Sequence, residues 1–124
     1  MPYANATDGT DLYDKDWGKG KPFVLLHGWP LTGDTFDDMA IALADKGYRA
    51  IVPDRRGFGR SDQPWTGNDY DTYAEDAKLI LDDDRISAPV AVVGFSLGAG
   101  EGARFPSKYQ YRTSAAAVLR PVGA

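Results

Sequence analysis

A serine flanked by two glycines is the strongest chemical signal in this 124-residue chain. Residues 94–98 read Gly-Phe-Ser-Leu-Gly and directly follow the apolar run at residues 89–93. A buried strand that leads into Gly-x-Ser-x-Gly and then into a helix of small residues is typical of a nucleophile elbow. The glycines are needed because a Cβ at either position would collide with the strand or the helix. Ser96 is therefore predicted to be a nucleophile at the carboxyl end of a parallel sheet.

Strand and helix patterns alternate along the rest of the chain. Two short segments that flank Asp-Gly-Thr at residues 8–10 predict an opening β-hairpin. Continuous apolar runs predict buried strands, and apolar residues at helical spacing predict helices. The strands are expected at 23–26, 48–52, 89–93 and 114–119, and the helices at 33–46, 72–81 and 97–104. This order predicts an α/β fold, with a hairpin followed by parallel strands and helices on both faces of the sheet.

Particular residues define the expected helix ends. Gly47 is placed to end the first helix, and Thr72 with Glu75 three residues later predicts a capping box at the start of the second. Three aspartates at residues 82–84 are unfavourable at a helix C-terminus, so that helix is expected to fray into a solvated end. Pro106 is expected to break the last helix after about Arg104.

Composition excludes several classes of function. The chain has 43% hydrophobic and 26% charged residues, a net charge of −4 and no cysteine. Its negative charge argues against nucleic-acid and membrane-surface partners, and the absence of cysteine excludes a thiol nucleophile and a thiolate metal site. The polar, acidic first 16 residues do not fit a signal peptide, and no apolar run approaches the length of a membrane span. A cytoplasmic protein with one domain over residues 1–124 is expected.

Four motifs in register resemble one family. The chain is similar to the N-terminal portion of the α/β-hydrolases, within the branch of cofactor-free haloperoxidases and arylesterases. The order and spacing agree from about residue 3 to residue 104, and the likeness weakens over 105–124. The matching segments are Asp-Gly-Thr at 8–10, His-Gly-Trp-Pro at 27–30, Asp-Arg-Arg-Gly-Phe-Gly-Arg-Ser at 54–61 and the elbow at 94–98.

The resemblance implies a site around Ser96. The backbone N–H of Leu97 opens the helix after the serine, where the helix dipole and an unpaired donor favour an oxyanion. The resemblance adds the N–H of Trp29 as the second oxyanion donor. It implies ester and peracid chemistry through an acyl-serine, with no metal and no organic cofactor. Gly28, Pro30 and Phe95 are expected to line the pocket for a small ester or acyl substrate.

The chain departs from the family after Ser96. The α/β-hydrolase triad runs Ser, Asp or Glu, then His in chain order, whereas here only Glu101 is acidic and no histidine follows. The one histidine, His27, is expected to be a buried structural residue. An alternative is that it serves as the base for Ser96, with Asp54 behind it. Otherwise Asp54, with the two arginines that follow it, is expected to hold down the glycine loop.

Three accounts of the chain therefore remain open. It is a truncated, weakly active or inactive serine hydrolase; a non-catalytic binding relative or a fragment that needs a partner chain; or an unusual minimal enzyme. Binding of a dinucleotide is disfavoured because the glycines at 98, 100 and 102 do not fit Gly-x-Gly-x-x-Gly. If the sheet stops near Leu119, an unpaired apolar edge strand predicts self-association or a complementary chain.

Overall fold

The computed structural model describes residues 3–28, 32–64, 69–95 and 97–119. Within these ranges the chain forms six strands and three α-helices. The strands are β1 (Tyr3–Asn5), β2 (Asp11–Gly18), β3 (Pro22–Leu26), β4 (Arg49–Pro53), β5 (Val90–Phe95) and β6 (Thr113–Leu119). The helices are α1 (Asp37–Asp45), α2 (Tyr70–Asp83) and α3 (Leu97–Lys108), and short 3-10 turns precede α1 and β6.

All six strands join one mixed sheet in the order β1-β2-β4-β3-β5-β6. The predicted hairpin is confirmed: β1 and β2 pair antiparallel, and Gly9 takes a positive φ of 89° in the turn between them. β2 also pairs antiparallel with β4, and the remaining pairs are parallel. The predicted α/β fold is therefore confirmed, with β3 and β5 as neighbours at the centre of the parallel part.

Helices cover both faces of the sheet. Side chains alternate along β5, so that Val90 and Val92 are buried on the face covered by α2 and α3, whereas Val93 and Phe95 face the α1 side. The larger core fills the first face. The smaller core lies beneath α1 and contains Leu25, Phe36, Ala40, Ala50 and Val52. Because β3, β4 and β5 are covered on both faces, these parallel strands are continuous apolar runs, as the sequence predicts.

The start of α2 corrects the predicted capping box. The helix begins at Tyr70, and the carboxylate of Asp69 accepts the backbone N–H of Thr72 at 2.9 Å. Thr72 is therefore inside the first turn rather than at the cap. Asp69 precedes it with a better acceptor, and an aspartate at this position satisfies an otherwise unpaired N–H.

The ends of α2 and α3 also differ from expectation. The aspartate run does not fray, and α2 continues through Asp83. The carboxylate of Asp82 accepts hydrogen bonds from Lys78 at 2.8 Å and from Arg112 at 2.7 Å. These cations offset the unfavourable end of the helix dipole. Helix α3 continues through Pro106 to Lys108, beyond the predicted break. The adjacent Phe105 is fully buried in the larger core, and its packing opposes the ~3 kcal/mol cost of an interior proline.

Candidate active site

The junction between β5 and α3 has the layout that an elbow requires. Strand β5 ends at Phe95, and α3 begins at Leu97, so a single residue separates the strand from the helix. Phe95 is half-buried. Ser96 lies outside the described residues, so the strained φ expected for it stays a prediction. In the sequence, the predicted nucleophile is the one residue between the last residue of a central parallel strand and the first residue of a helix.

Gly98 shows why the second glycine of the motif is needed. A Cβ built on it would lie 2.1 Å from the carbonyl oxygen of Leu26 and 2.8 Å from that of His27. Both atoms belong to backbone at the end of β3, which cannot move away as a flexible side chain could. The first turn of α3 therefore packs directly on the carboxyl end of β3.

His27 is buried and both of its ring nitrogens are occupied. Its Nδ1 lies 2.9 Å from the carbonyl oxygen of Gly28, and its Nε2 accepts the backbone N–H of Arg55 at 2.9 Å. This pattern assigns the proton to Nδ1, which donates to Gly28. The side chain is 1% exposed, and burial lowers its pKa to about 4. The geometry supports a structural histidine, since service as a base would require Nε2 to give up its hydrogen bond from Arg55.

Asp54 holds the loop that follows β4. Its Oδ1 accepts the backbone N–H of Gly33 at 2.7 Å, and its Oδ2 accepts the backbone N–H of Arg60 at 2.9 Å. Gly59, with a φ of 51°, approaches this carboxylate so closely that a Cβ would lie 2.4 Å from Oδ2. The interpretation of Asp54 as a tether for the glycine loop is confirmed.

A buried ion pair next to His27 was missed by sequence reasoning. Nε of Arg55 donates to Oε1 of Glu101 at 2.9 Å, and Nη2 of Arg55 donates to the carbonyl oxygen of His27 at 2.9 Å. Burial raises the pKa of Glu101 to about 7, although the neighbouring Arg55 opposes this shift. The carboxylate of Glu101 is therefore paired with Arg55 and is not free to act as a catalytic acid or base. The available signal was a single acidic residue between two glycines on a helix that packs against the sheet.

The neighbouring arginine makes a second buried ion pair. Arg56 binds both carboxylate oxygens of Asp76, at 2.6 Å and 2.8 Å, and it binds Asp8 at 2.7 Å. Its guanidinium thus connects the loop after β4 to α2 and to the hairpin turn. The pKa of Arg56 is raised, mainly by its hydrogen bond to Asp76.

The structure describes only part of the predicted pocket. Gly28 is buried two positions after the last residue of β3, and Leu97 contributes the first backbone N–H of α3. Trp29 and Pro30 lie outside the described residues. A cavity of about 10 Å³ beside His27, Arg55 and Glu101 has room for one water molecule at most and is too small for a substrate. Within the described ranges, no three His, Asp or Glu side chains are grouped to hold a metal ion.

The fold and the β5–α3 junction agree with a comparison against known families. A family model described as alpha/beta hydrolase fold matches residues 21–121. The chain therefore belongs to the α/β-hydrolase fold family, and its sheet and helices form part of that fold. In the described part of the chain, no helix has the length and apolar character needed to cross a membrane.

Within the family, the chain is similar to non-heme haloperoxidases and a related esterase. The chain is 43% identical over 119 residues to a non-heme chloroperoxidase of Kitasatospora aureofaciens, covering 96% of this chain and 43% of that protein. It is 39% identical over 121 residues to a bifunctional esterase/perhydrolase of Acinetobacter calcoaceticus, covering 96% and 44%. The crystal structure of a bromoperoxidase from Bacillus anthracis superposes with a TM-score of 0.82 at 42% identity, covering 95% and 42%. The chain thus spans less than half the length of these relatives.

Proposed function

We propose that this chain carries the nucleophile and oxyanion-binding part of a serine hydrolase that acts on small carboxylic esters. The observation that carries the proposal is the one-residue junction between β5 and α3, with Gly98 packed on the carbonyl groups of Leu26 and His27. This packing supports a site in which the N–H groups of Leu97 and Trp29 face the same oxyanion. Loss of one such donor typically costs ~2.7–4 kcal/mol of transition-state stabilisation.

The proposed reaction proceeds through an acyl-serine. Oγ of Ser96 forms a bond to the acyl carbon, the carbonyl oxygen takes up negative charge at the two N–H groups, and the alkoxide departs with the serine proton. Water then attacks the acyl carbon and releases the acid and Ser96. Attack by hydrogen peroxide would instead release a peracid, and the likeness to the esterase/perhydrolase of Acinetobacter calcoaceticus supports this second outcome.

The chain offers no free histidine as a base for Ser96. His27 is the one histidine of the sequence, and both of its ring nitrogens are engaged. Loss of a triad typically costs on the order of 10⁶ in turnover, whereas an oxyanion hole alone retains ~10³–10⁴ over water. We therefore expect weak activity or none from the isolated chain, with no metal or organic cofactor involved.

The same observation supports a second candidate, a non-catalytic binding protein or a fragment that needs a partner chain. In that case Ser96 would not be activated and would react no faster than other serines of the chain. A fluorophosphonate probe distinguishes the two candidates, because it forms a covalent bond to an activated serine and can be mapped by peptide mass.

We expect slow labelling, over hours, at Ser96 only, and none in Ser96→Ala. Hydrolysis of short aryl esters should remain near background. Labelling that is equal in Ser96→Ala, or that falls on other residues, would refute the assignment of the nucleophile. Robust turnover abolished by both Ser96→Ala and His27→Ala would instead establish a minimal enzyme in which His27 is the base.

A further inference from the structure

Arg55 binds two elements that border the candidate site. Its backbone N–H donates to Nε2 of His27, and its Nη2 donates to the carbonyl oxygen of the same residue, both at 2.9 Å. Its Nε donates to Oε1 of Glu101 at 2.9 Å, and Nη2 lies 2.7 Å from that oxygen. The guanidinium carbon also lies 5.1 Å from the ring centroid of Tyr73. One buried side chain therefore joins the end of β3 to α3.

The proposed oxyanion donors belong to α3 and to the segment of chain that follows β3. Glu101 lies about one helical turn after Leu97, and His27 lies two positions before Trp29. Gly98 already packs on the backbone of β3 without space for a methyl group. A change in how Arg55 holds Glu101 and His27 would therefore alter the separation of α3 from the segment after β3. Misplacement of reacting groups by 1 Å can cost ~10²-fold in rate.

We propose that Arg55 is a positioning residue that sets the separation between the first turn of α3, which begins at Leu97, and the backbone of His27, with Glu101 as its anchor on α3. The proposal rests on the proposed function, in which donors from the segments that begin at these two places bind one oxyanion. A lysine cannot take this role, because one ammonium lacks the planar fork that reaches two acceptors and stacks on an aromatic ring.

Arg56 provides a matched control. It is adjacent in sequence, equally buried, and bidentate to Asp76, but that ion pair reaches α2 instead of α3. Arg56→Lys therefore disrupts a comparable ion pair in the same loop. Glu101→Gln is a second, milder variant, because glutamine keeps an oxygen acceptor for Nε of Arg55 while it removes the charge.

The first measurement is amide hydrogen exchange of the full chain under native conditions. The amides of residues 101–104 close the first turn of α3. Arg55→Lys should accelerate their exchange about tenfold or more relative to the amides of β4, because charged hydrogen bonds are lost locally. Glu101→Gln should give a smaller acceleration at the same amides. Arg56→Lys should accelerate exchange in α2 and leave residues 101–104 near the parent rate.

The second measurement separates positioning from general stability. Arg55→Lys should lower the first-order rate constant for phosphonylation of Ser96 about tenfold or more, with the half-saturating probe concentration nearly unchanged. Arg56→Lys should change neither value. Uniform acceleration of exchange across the sheet, or an unchanged phosphonylation rate constant in Arg55→Lys, would overturn the proposal. A parent chain that is not labelled refutes the proposed function instead, and the exchange pattern then decides whether Arg55 holds β3 and α3 together.

Discussion

Replacing Gly98 with alanine tests whether the close packing of α3 on β3 is required. The new Cβ would lie 2.1 Å from the carbonyl oxygen of Leu26 and 2.7 Å from its carbonyl carbon. Real Cβ atoms essentially never approach heavy atoms within 3.0 Å, so the helix would have to move away from the strand by about 1 Å. Neither neighbour is a flexible side chain, and β3 is held between β4 and β5.

The expected cost follows from this geometry. Overpacking typically destabilises a protein by ~1–3 kcal/mol, and a clash with backbone belongs at the upper end of that range. Gly102 is the matched control, because it lies on the same helix and its nearest contact would be an ordinary 3.4 Å from the Cα of Gly94. Gly102→Ala should be neutral or stabilising by ~0.5–1 kcal/mol, since alanine favours helix over glycine.

Urea denaturation followed by circular dichroism measures both variants. We expect the free energy of unfolding of Gly98→Ala to fall about 3 kcal/mol below that of Gly102→Ala, with similar m-values. Labelling of Ser96 should fall as well in Gly98→Ala, because the N–H of Leu97 moves with the helix. Equal stability of the two alanine variants would refute the reasoning that places Gly98 in obligatory contact with β3.

Three further predictions follow from other parts of the structure. Burial, and then the neighbouring Asp84, raises the pKa of Asp14 to about 9. Between about pH 4 and 9 this carboxyl is ionised in the unfolded chain and takes up a proton on folding, so stability should fall as the pH rises through that range. Asp14→Asn should flatten that loss in urea titrations at several pH values. Asp69→Ala removes the cap of α2 and should lower the free energy of unfolding by ~1 kcal/mol, which thermal melting can measure. An effect no larger than that of Asp45→Ala, an exposed control, would argue against the cap. β6 is the outer strand of the described sheet and its residues 114–117 are exposed, so sedimentation at micromolar concentration should detect self-association; a clean, cooperatively unfolding monomer would contradict it.

Local patterns account for the parts of the fold that the sequence predicts correctly. The turn at Gly9, the apolar run of β5 and the end of α1 at Gly47 each depend on neighbouring residues, so their conformational preferences are visible in the chain itself. Gly47, for example, takes a positive φ of 88°, which glycine adopts without strain. The alternation of strands and helices then implies the parallel sheet, because parallel strands need a crossover between them.

The sequence also locates the candidate nucleophile. The junction at residue 96 follows from a strand pattern, two glycines and a helix pattern that are contiguous in the chain. Helix α3 begins at Leu97, as predicted, whereas β5 continues to Phe95, two residues beyond the predicted end of the strand. The role of Ser96 itself stays a prediction that labelling can test.

Only the tertiary structure decided the contacts between distant residues. Arg55 and Glu101 are 46 positions apart, and they meet because β3 lies between β4 and β5 in the sheet. Helix α3 continues past Pro106 because burial of Phe105 opposes the local cost of proline. In both cases the deciding free energy comes from packing against elements far away in the chain, which local propensity and motif spacing do not encode.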